Sequence, residues 1–497
     1  MLELNWHQYK YYPYEHQLAL REVEKLLVPK SVGTSLTGIV IDEPKHPALA
    51  DRLVYFASKA GQPDSTDLPT RQAMLERVNG NGPNRQSTRY SAHGLHEYKG
   101  KFNPQIAKAL LNIFQIKEGD WAFDPFCGSG TSLVEAAHLN VNAVGTDLNP
   151  MAVYLANAKV GALGTPAPRI LRSTAIVMRK LKSAKSRIKL DDERAEYLSK
   201  WFPPETFTDM ERLRAAIGHE PEAVESILLA IASNLLRDYS LQEPGDLRIR
   251  RRSSPLPGKP LFDAFEVAVD TFARKLADSQ QVLGLLNASG GAKILDCRQS
   301  LTSALPQGVS GFDVALTSPP YATALPYIDT QRLSLVWLGL LSPSQILSLD
   351  AKLVGSREIR GESKVELDRS LFTNAANLPR AEAKLCTDLL NSLTDEDGFR
   401  RQAVPRLLYR YFLGMANSFE SVHKVMKIGA SYGLIVGGNH TILSGKRFDI
   451  NTPAHLVSLA VSRGWTHVET VELQTYRRYG LHAKNASTTE ALVILRA

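Results

Sequence analysis

The sequence has little cysteine and no long apolar run. Its 497 residues include three cysteines, Cys127, Cys297 and Cys386, which lie far apart and form no CxxC pair. A disulfide framework and a structural zinc site both need closer spacing, so we expect reduced thiols and neither kind of site. The longest greasy run, around residues 333–341, is too short to cross a bilayer, and the amino terminus has no basic segment followed by an apolar one. We therefore predict a soluble, cytoplasmic protein.

Neither low-complexity tracts nor internal repeats occur, and the composition is ordinary. Apolar residues make up 43% and charged residues 22%, which excludes disordered and fibrous classes. Lys and Arg total 59 against 51 for Asp and Glu, which gives a net charge of +8. This excess favours a polyanionic partner, although proteins without one also have it.

Strand and helix signals alternate in two separated parts of the chain, as in a doubly wound parallel sheet. The first part has strands at residues 121–123 and 143–145, each followed by a helix. Helical patterns fill residues 165–285, and strands return at 292–296, 312–316, 432–436, 466–475 and 491–495. We predict an extension and linker (1–84), a core in two parts (85–160 and 286–497) and helical insertions (161–285 and 322–402).

A glycine-rich turn follows the first of these strands. In FDPFCGSGT, at residues 123–131, Gly128 and Gly130 lack the Cβ that would keep a ligand away from the backbone. A dinucleotide fingerprint would carry a third glycine, which is missing here. Asp147, at the end of the next strand, is placed to accept hydrogen bonds from ribose hydroxyls. This pattern favours an adenosine-containing ligand over a dinucleotide.

A double-proline loop, TSPPY at residues 317–321, follows the strand at 312–316. Two prolines fix the backbone and leave carbonyls without local N–H partners. The Ser318 hydroxyl and the Pro319 carbonyl can accept both N–H bonds of an exocyclic amine while Tyr321 stacks on the base. The alternative is an ordinary turn after a buried strand.

Taken together, five ordered motifs resemble those of the amino-methylating DNA methyltransferases. They are HEYKGKFNP at 96–104, FDPFCGSGT at 123–131, GTDLNP at 145–150, ILDC at 294–297 and TSPPY at 317–321. The TSPPY form is typical of members that methylate cytosine at N4. The resemblance implies a class I methyltransferase fold, Rossmann-like and α/β, with a mostly parallel seven-stranded sheet and, here, helical insertions.

The resemblance also implies S-adenosyl-L-methionine as the cofactor, with base flipping of the target in double-stranded DNA and no covalent intermediate or metal. A cognate restriction endonuclease is a further implied partner. The implied catalytic residues are Ser318, Pro319, Pro320 and Tyr321. The implied cofactor-binding residues are Phe102, Pro104, Asp124, Pro125, Phe126, Gly128, Gly130, Thr131, Asp147, Leu148, Asp296 and Cys297. Cys127 and Cys297 are also predicted to be small, buried packing residues.

Two basic clusters in the first insertion are candidates for phosphate contact. One has eight basic and no acidic residues: Arg169, Arg172, Arg179, Lys180, Lys182, Lys185, Arg187 and Lys189. The other comprises Arg248, Arg250, Arg251 and Arg252. The alternatives are a solvated helix face for the first cluster and a salt-bridged loop for the second.

Three other functions stay open. Adenine-N6 methyltransferases usually have Asp or Asn where this chain has Ser318. RNA guanine-N2 methyltransferases share the DPFCGSG turn, with Asn or Asp before the prolines. A non-catalytic DNA-binding subunit on a decayed fold would not need the intact motifs. His93 and His96 are three apart, and since no cluster of metal ligands accompanies them in sequence, we predict no metal site.

Overall fold

The computed structural model of the chain describes residues 1–60, 67–77, 87–183, 192–246, 249–322, 327–361, 363–474 and 489–497. The strands are β1 (Leu2–Trp6), β2 (Ser31–Thr34), β3 (Gly38–Asp42), β4 (Phe56–Ala60), β5 (Leu68–Pro69), β6 (Trp121–Asp124), β7 (Asn142–Asp147), β8 (Gly290–Ile294), β9 (Phe312–Thr317), β10 (Met426–Gly437), β11 (Asn439–Leu443), β12 (Lys446–Ile450), β13 (Thr466–Gln474) and β14 (Thr489–Arg496). The helices are α1 (Pro13–Glu22), α2 (Arg71–Arg77), α3 (Pro104–Ile113), α4 (Thr131–His138), α5 (Pro150–Leu163), α6 (Ala167–Ser183), α7 (Glu193–Ser199), α8 (Pro204–Ile217), α9 (Glu222–Leu235), α10 (Leu261–Leu283), α11 (Tyr327–Trp337), α12 (Ile346–Lys352), α13 (Lys364–Phe372), α14 (Arg380–Asn391), α15 (Phe399–His423) and α16 (Thr452–Val461).

A seven-stranded sheet organises the main body, in the order β13-β14-β10-β9-β6-β7-β8. The five strands β10, β9, β6, β7 and β8 run parallel to one another. Strand β14 is antiparallel to both of its neighbours, β10 and β13. One reversed strand near the edge of an otherwise parallel sheet is the topology of the class I methyltransferase fold. The predicted fold class and the antiparallel closing pair are therefore confirmed.

The predicted core strands exist, with small shifts at their ends. The third strand of the core, β8, ends at Ile294, two residues before the predicted end at Asp296. It pairs in parallel with β7, and Asp147 stands opposite Ile294. The chain thus leaves the sheet domain after α5, forms the first insertion, and returns as β8 at the position next to β7.

Helices fill both insertions, as predicted. Between residues 161 and 285 the described residues form helices α6 to α10, and one isolated bridge joins Gln242 to Arg251. These helices share a core with α5 and α11 that is built from buried aliphatic and aromatic side chains. The first insertion is therefore packed onto the sheet domain. Among the described residues, no helix is both long and apolar enough to span a membrane.

The amino-terminal segment, predicted as an extension and linker, forms a folded unit, while the predicted linker sequence at residues 79–84 lies outside the described residues. Its strands form a five-stranded antiparallel sheet in the order β2-β3-β1-β4-β5. Trp6 stacks on Phe56 with ring centroids 4.3 Å apart, and the core around them includes Ile106 of α3 and Ile435 of β10. The strands escaped the sequence analysis because they are short: β1 alternates apolar and polar residues over only five positions, and β2, β3 and β4 show no clean period of two.

Two further differences concern the second half of the chain. The apolar pattern of the sequence predicts a helix at Leu407–Met426, whereas α15 begins at Phe399 and contains Pro405. An interior proline costs about 3 kcal/mol, but buried side chains such as Tyr411 and Phe412 anchor the helix in the core. The hairpin of β11 and β12 was not predicted.

A buried carboxylate joins the amino-terminal unit to the methyltransferase sheet domain. Glu22 has no exposed surface, and its oxygens accept hydrogen bonds from Asn112 Nδ2 at 2.7 Å and from the Val54 amide at 3.4 Å. Burial raises the pKa of Glu22 to about 8, although the hydrogen bonds and the charges of Lys108 and Arg52 act in the opposite direction.

This carboxylate should make the stability of the protein depend on pH. Because the folded-state pKa lies above the unfolded one, the contribution of Glu22 is present below about pH 4.5 and is lost as the pH rises through about 8. We expect Glu22→Gln to raise the free energy of unfolding at pH 8.5, by on the order of a few kcal/mol, and to flatten its dependence on pH. Denaturant titrations between pH 6 and 9 measure this. The exposed Glu24→Gln is the control, and an equal response of both variants would contradict the assignment.

Candidate functional site

The two motif-bearing loops meet at one edge of the main sheet. They follow β6 and β9, which are neighbours with Ala122 opposite Val314. Asp124, at the end of β6, is 3% exposed, and its Oδ1 accepts a hydrogen bond from Thr317 Oγ1 at 2.6 Å. The Ser132 hydroxyl donates to its other oxygen. Asp124 therefore ties the glycine-rich turn directly to the strand that leads into the double-proline loop.

A cavity opens where these loops meet. Its walls come from the carboxyl ends of β6, β7, β8 and β9 and from two segments outside them, and its lining residues are Tyr98, Gly100, Pro125, Phe126, Gly128, Asp147, Leu148, Asn149, Leu295, Asp296, Cys297, Ser318, Pro320, Leu353 and Val354. One cleft thus contains Gly128 of the turn and Ser318 of the loop. Ligands of open α/β sheets bind at this edge of the strands.

The turn has the backbone shape that a close ligand requires. Gly130 has φ +79°, and a Cβ there would lie 2.7 Å from the Cβ of Ala156 on α5. Gly128 has φ +48°, and its amide donates to Asp147 Oδ2 at 3.1 Å. Only glycine fits Gly130 without displacing α5. The turn is therefore a preformed cradle beside the cavity.

A buried lysine, which the sequence analysis missed, supports the turn from below. Lys159 of α5 has no exposed surface, and its Nζ donates to the carbonyl and the hydroxyl of Ser129 at 3.0 and 2.8 Å. Burial lowers the pKa of Lys159 well below its usual range. No motif signals this residue, because its partner lies thirty positions earlier in the chain.

Removing this support should loosen the cradle. We expect Lys159→Met to raise the dissociation constant of S-adenosylmethionine about tenfold, since two hydrogen bonds to Ser129 are lost and the turn is no longer held. Isothermal calorimetry measures the constant. Lys384→Met is the control, because Lys384 is an exposed lysine paired with Asp388. Unchanged affinity in a folded Lys159→Met protein would remove the supporting role.

Asp147 combines a structural and a ligand-facing role. Its Oδ1 accepts a hydrogen bond from the Asn149 amide at 2.8 Å, while Oδ2 takes the Gly128 amide, and the residue lines the cavity. Burial raises its pKa to about 6, although these backbone hydrogen bonds act in the opposite direction. A carboxylate here meets the demand of a ribose diol for an acceptor.

A second acid, Asp296, lines the cavity beyond β8. Arg298 Nε and Nη2 donate to its two oxygens at 2.8 and 2.7 Å. Burial alone would raise the pKa of Asp296, but the hydrogen bonds from Arg298 outweigh it and keep the pKa below its usual value. Arg298 Nη2 also donates to the Lys352 carbonyl, which fixes the segment before Leu353 and Val354. The second insertion therefore closes one side of the cavity.

The double-proline loop is held from outside as well. Tyr321 Oη donates to Glu490 Oε1 of β14 at 3.1 Å. A Cβ at Gly355, which has φ +78°, would lie 2.5 Å from the Tyr321 carbonyl, so the second insertion packs closely on the loop. Asn439 Nδ2, at the start of the unpredicted hairpin, donates to the Ala322 carbonyl at 2.7 Å. The loop is thus fixed on several sides.

The cavity includes many, but not all, of the predicted site residues. Those that line it are Pro125, Phe126, Gly128, Asp147, Leu148, Asp296, Cys297, Ser318 and Pro320. The predicted residues outside its lining are Phe102, Pro104, Asp124, Gly130, Thr131, Pro319 and Tyr321. Phe102 packs into two apolar cores, and Pro104 begins α3 below its Asn103 cap. Asp124 and Thr131 are buried at the root of the turn.

Six lining residues were not predicted: Tyr98, Gly100, Asn149, Leu295, Leu353 and Val354. The first four stand inside the quoted motifs, so the motif strings contained the signal. Tyr98 covers Gly128, where an added Cβ would come within 3.4 Å of its ring. Leu353 and Val354 come from the second insertion and have no such signal.

Comparisons with known proteins agree with this site. The family described as "UPF0020: RMKL-like, methyltransferase domain" matches residues 95–190. The Type II methyltransferase M.MvaI of Kocuria varians is 23% identical over 376 residues, which are 72% of this chain and 78% of that protein. The Type II methyltransferase M.BsoBI of Geobacillus stearothermophilus is 25% identical over 279 residues, 50% of this chain and 53% of its own. The chain is an S-adenosylmethionine-dependent methyltransferase of class I fold.

A third relative matches a shorter stretch. The tRNA (guanine(10)-N2)-dimethyltransferase of Methanothermobacter thermautotrophicus is 33% identical over 78 residues, 16% of this chain and 23% of that protein. Among solved structures, TrmN from Thermus thermophilus superposes with a TM-score of 0.27 and 10% identity, over 80% of this chain and 50% of that one. A superposition this loose adds no argument to the strand order.

The methyltransferase presents only part of its predicted basic clusters at the surface. Arg169, Arg172, Arg179 and Lys182 are exposed on α6, whereas Lys180 pairs with Glu220 at 3.2 Å. Arg250 and Arg251 are exposed. Arg252 donates to the backbone carbonyls of Asp238 and Ser240 and so stabilises its own loop. Arg248, Lys185, Arg187 and Lys189 lie outside the described residues.

All three cysteines of the methyltransferase are free and buried, as predicted for Cys127 and Cys297. The premise that no ligand cluster accompanies His93 was wrong, because Glu135 and His138 of α4 meet it in space. Glu135 Oε1 lies 2.6 Å from His93 Nε2, and its other oxygen lies 3.2 Å from Lys108 Nζ. Since an ammonium group already faces this carboxylate, the cluster is a charge-balanced polar network.

Proposed function

We propose that this methyltransferase acts on DNA and transfers the methyl group to the exocyclic N4 amine of a flipped-out cytosine at a specific site. The observation that carries the proposal is the shared cavity, in which Ser318 and Pro320 of the double-proline loop face the cleft that also holds Gly128 and Asp147. A nucleobase at the loop would meet a cofactor at the turn. Because the turn follows β6 and the loop follows the neighbouring strand β9, the sheet brings the methyl donor close to the acceptor amine.

The residues of the loop account for the chemistry. The amine of cytosine is a poor nucleophile, because its lone pair is delocalised into the ring. Hydrogen bonds from its two N–H groups to the Ser318 hydroxyl and the Pro319 carbonyl favour a pyramidal nitrogen with a localised lone pair. S-adenosylmethionine supplies a methyl group on a positively charged sulfur. With the cofactor held at the turn, the C–N bond would form as the S–C bond breaks, the sulfonium would become a neutral thioether, and the nitrogen would release its proton to solvent.

The cofactor side is equally well provided. Pro125, Phe126, Leu148 and Leu295 offer apolar surface to an adenine ring, and Asp147 offers a carboxylate to the ribose. We assign the cofactor contacts to these residues and to Gly128, Asp296 and Cys297. Four other predicted residues do not contact the cofactor but hold the glycine-rich turn and the double-proline loop in place: Asp124, Gly130, Thr131 and Tyr321.

Long-range similarity favours DNA as the substrate. M.MvaI and M.BsoBI, which match half of the chain or more, are both named Type II methyltransferases. The exposed face of α6, with Arg169, Arg172, Arg179 and Lys182, offers cations without intervening acids for contact with the phosphate backbone. Pairing with a restriction endonuclease is part of this proposal. Since flipping costs a few kcal/mol, such backbone contacts are needed to offset it.

A second candidate is methylation of the guanine N2 amine in RNA. It is favoured by the tRNA (guanine(10)-N2)-dimethyltransferase match, which is 33% identical but covers 16% of this chain. Both candidates use the same geometry, because each acceptor is an exocyclic amine. Ser318, where Asn or Asp is usual for the RNA enzymes, argues for cytosine.

Product analysis tests the proposal. The protein is incubated with methyl-labelled S-adenosylmethionine and either unmethylated duplex DNA or transfer RNA, and the nucleosides are separated after digestion. We expect N4-methylcytosine from DNA. N6-methyladenine would correct the base, N2-methylguanine from RNA would replace the substrate, and absence of label from both would favour the non-catalytic alternative.

A further inference from the structure

Two arginines lie over one indole ring on the helical insertion. The guanidinium carbon of Arg332 lies 4.0 Å from the ring centroid of Trp201, and that of Arg251 lies 4.9 Å from it. The two guanidinium carbons are therefore no farther apart than the sum of these distances. Arg251 is exposed, and Arg332 belongs to α11, the helix that follows the double-proline loop.

Arg332 is buried without the partners that a buried cation needs. The residue is 6% exposed, and among the described residues neither its Nε nor its Nη2 has a hydrogen-bond partner. The neighbouring Tyr197 hydroxyl, whose ring centroid lies 5.9 Å from the guanidinium carbon, interacts with Arg332 and favours its charged form, but it makes no hydrogen bond of good geometry. A hydrogen bond left unmade at a buried cation destabilises the folded protein. Such a cost is reasonable where a ligand supplies the missing acceptor.

The charges around this pair leave it positive. Asp329 is the acid whose charge favours the charged form of Arg332. Burial raises the pKa of Asp329 in spite of Arg332, so this acid is a weak counter-ion. Arg251 in turn disfavours the charge on Arg332. An anion bound beside both guanidinium groups would relieve this repulsion.

The pair lies close to the cavity. Gln331, adjacent to Arg332 in the chain, is 6% exposed and accepts a hydrogen bond from Asn149 Nδ2 at 2.6 Å. Asn149 itself lines the cavity. On the other side, Gln242 is paired with Arg251 in the isolated bridge, and its side chain donates to the Asp329 carbonyl at 3.4 Å. The two arginines therefore lie where the first insertion contacts α11, the helix that follows the double-proline loop.

We propose that Arg251 and Arg332, together with Trp201, form a phosphate-binding site for the DNA strand that carries the target base. The inference rests on the proposed function and names a contact made by that same site. Guanidinium groups bind phosphate through paired N–H donors, and an extruded nucleotide brings its own phosphates close to the base pocket. The exposed Arg251 makes the first contact, and the uncompensated charge of Arg332 adds to the attraction.

Salt dependence tests the proposal, since each phosphate contact contributes a slope of about one to the dependence of log affinity on log salt. Filter binding of unmethylated genomic DNA and the kcat/KM for its methylation are measured between roughly 50 and 200 mM KCl. The variants are Arg251→Ala and Arg332→Lys. Arg274→Ala is the matched control, because Arg274 is an exposed arginine of the same insertion paired with Asp270.

We expect Arg251→Ala to weaken DNA binding roughly three- to tenfold and to reduce the slope by about one, with the dissociation constant of S-adenosylmethionine unchanged. Arg332→Lys keeps the positive charge but loses the paired N–H donors of the guanidinium group, so it should raise the KM for DNA. If the dependence of log DNA affinity on log salt had the same slope in Arg251→Ala, Arg274→Ala and the wild type, the proposed phosphate-binding site would be wrong. A reduced slope in binding without any methyl transfer to DNA would keep the site and refute the proposed function. A reduced slope seen for transfer RNA and not for DNA would overturn the assignment to DNA.

Discussion

Replacing Ser318 with alanine is expected to slow methyl transfer to DNA by roughly tenfold to a hundredfold while leaving the affinity for S-adenosylmethionine within about twofold. Ser318 lines the cavity at the tip of β9, and alanine keeps the backbone of the loop while removing one of the two acceptors for the target amine. The lost interaction is strongest when the nitrogen becomes pyramidal, so the effect should fall on kcat. Single-turnover kinetics with labelled cofactor measure the transfer step.

Two further variants sharpen this experiment. Ser318→Thr keeps a hydroxyl and should retain more activity than Ser318→Ala. Ser300→Ala removes an exposed hydroxyl that contacts Thr302, and it should behave as the wild type. If Ser318→Ala weakened cofactor binding as much as it slowed transfer, the loop would belong to the cofactor site and the assigned role would be wrong.

Replacing Asp147 with alanine should raise the dissociation constant of S-adenosylmethionine by roughly a hundredfold. The variant leaves the amides of Gly128 and Asn149 without their acceptor and removes the carboxylate offered to the ribose. An unchanged constant in calorimetry would refute the ribose assignment. Asp120→Asn, an acid at the start of β6 that accepts from the Lys117 amide, is the control at the far end of the sheet.

The raised pKa of Asp147 adds a dependence on pH to this prediction. Below about pH 6 the carboxyl group is protonated and accepts fewer hydrogen bonds, so cofactor affinity in the wild type should rise between pH 5 and 7. Asp147→Asn should show a shallower rise. Some dependence should persist, because burial raises the pKa of Asp124, which ties the turn to β9, to about 6 as well. An unchanged pH profile in Asp147→Asn would assign the titration elsewhere.

The centre of the main sheet was predictable because β6 and β9 are largely buried and apolar and end at proline-containing turns. Trp121–Asp124 ends directly at Pro125, and Phe312–Thr317 ends before Ser318 and two prolines. The amino-terminal sheet was missed because β2 (Ser31–Thr34) is exposed and shows no alternation, and because β1, which does alternate, is only five residues long. The hairpin of β11 and β12 did have a sequence signal, which was overlooked. Ser444 and Gly445 form its two-residue turn, and both have positive φ.

The candidate site was predictable where its residues belong to contiguous motifs, and not where distant segments complete it. Gly128, Asp147, Asp296 and Ser318 were all identified from local strings and share one cavity. Lys159 supports the turn from another helix, and Val354 reaches the cavity from the second insertion. Contacts of this kind arise from packing between elements, which a single sequence does not reveal.

The adjacency of β6 and β9 has a consequence for engineering. Since the reacting groups are positioned by two neighbouring strand ends, the length and content of the polypeptide between residues 161 and 285 do not set their separation. A module from a relative could therefore replace that stretch without displacing the two loops, provided that the seam along α5 and α11 is kept apolar.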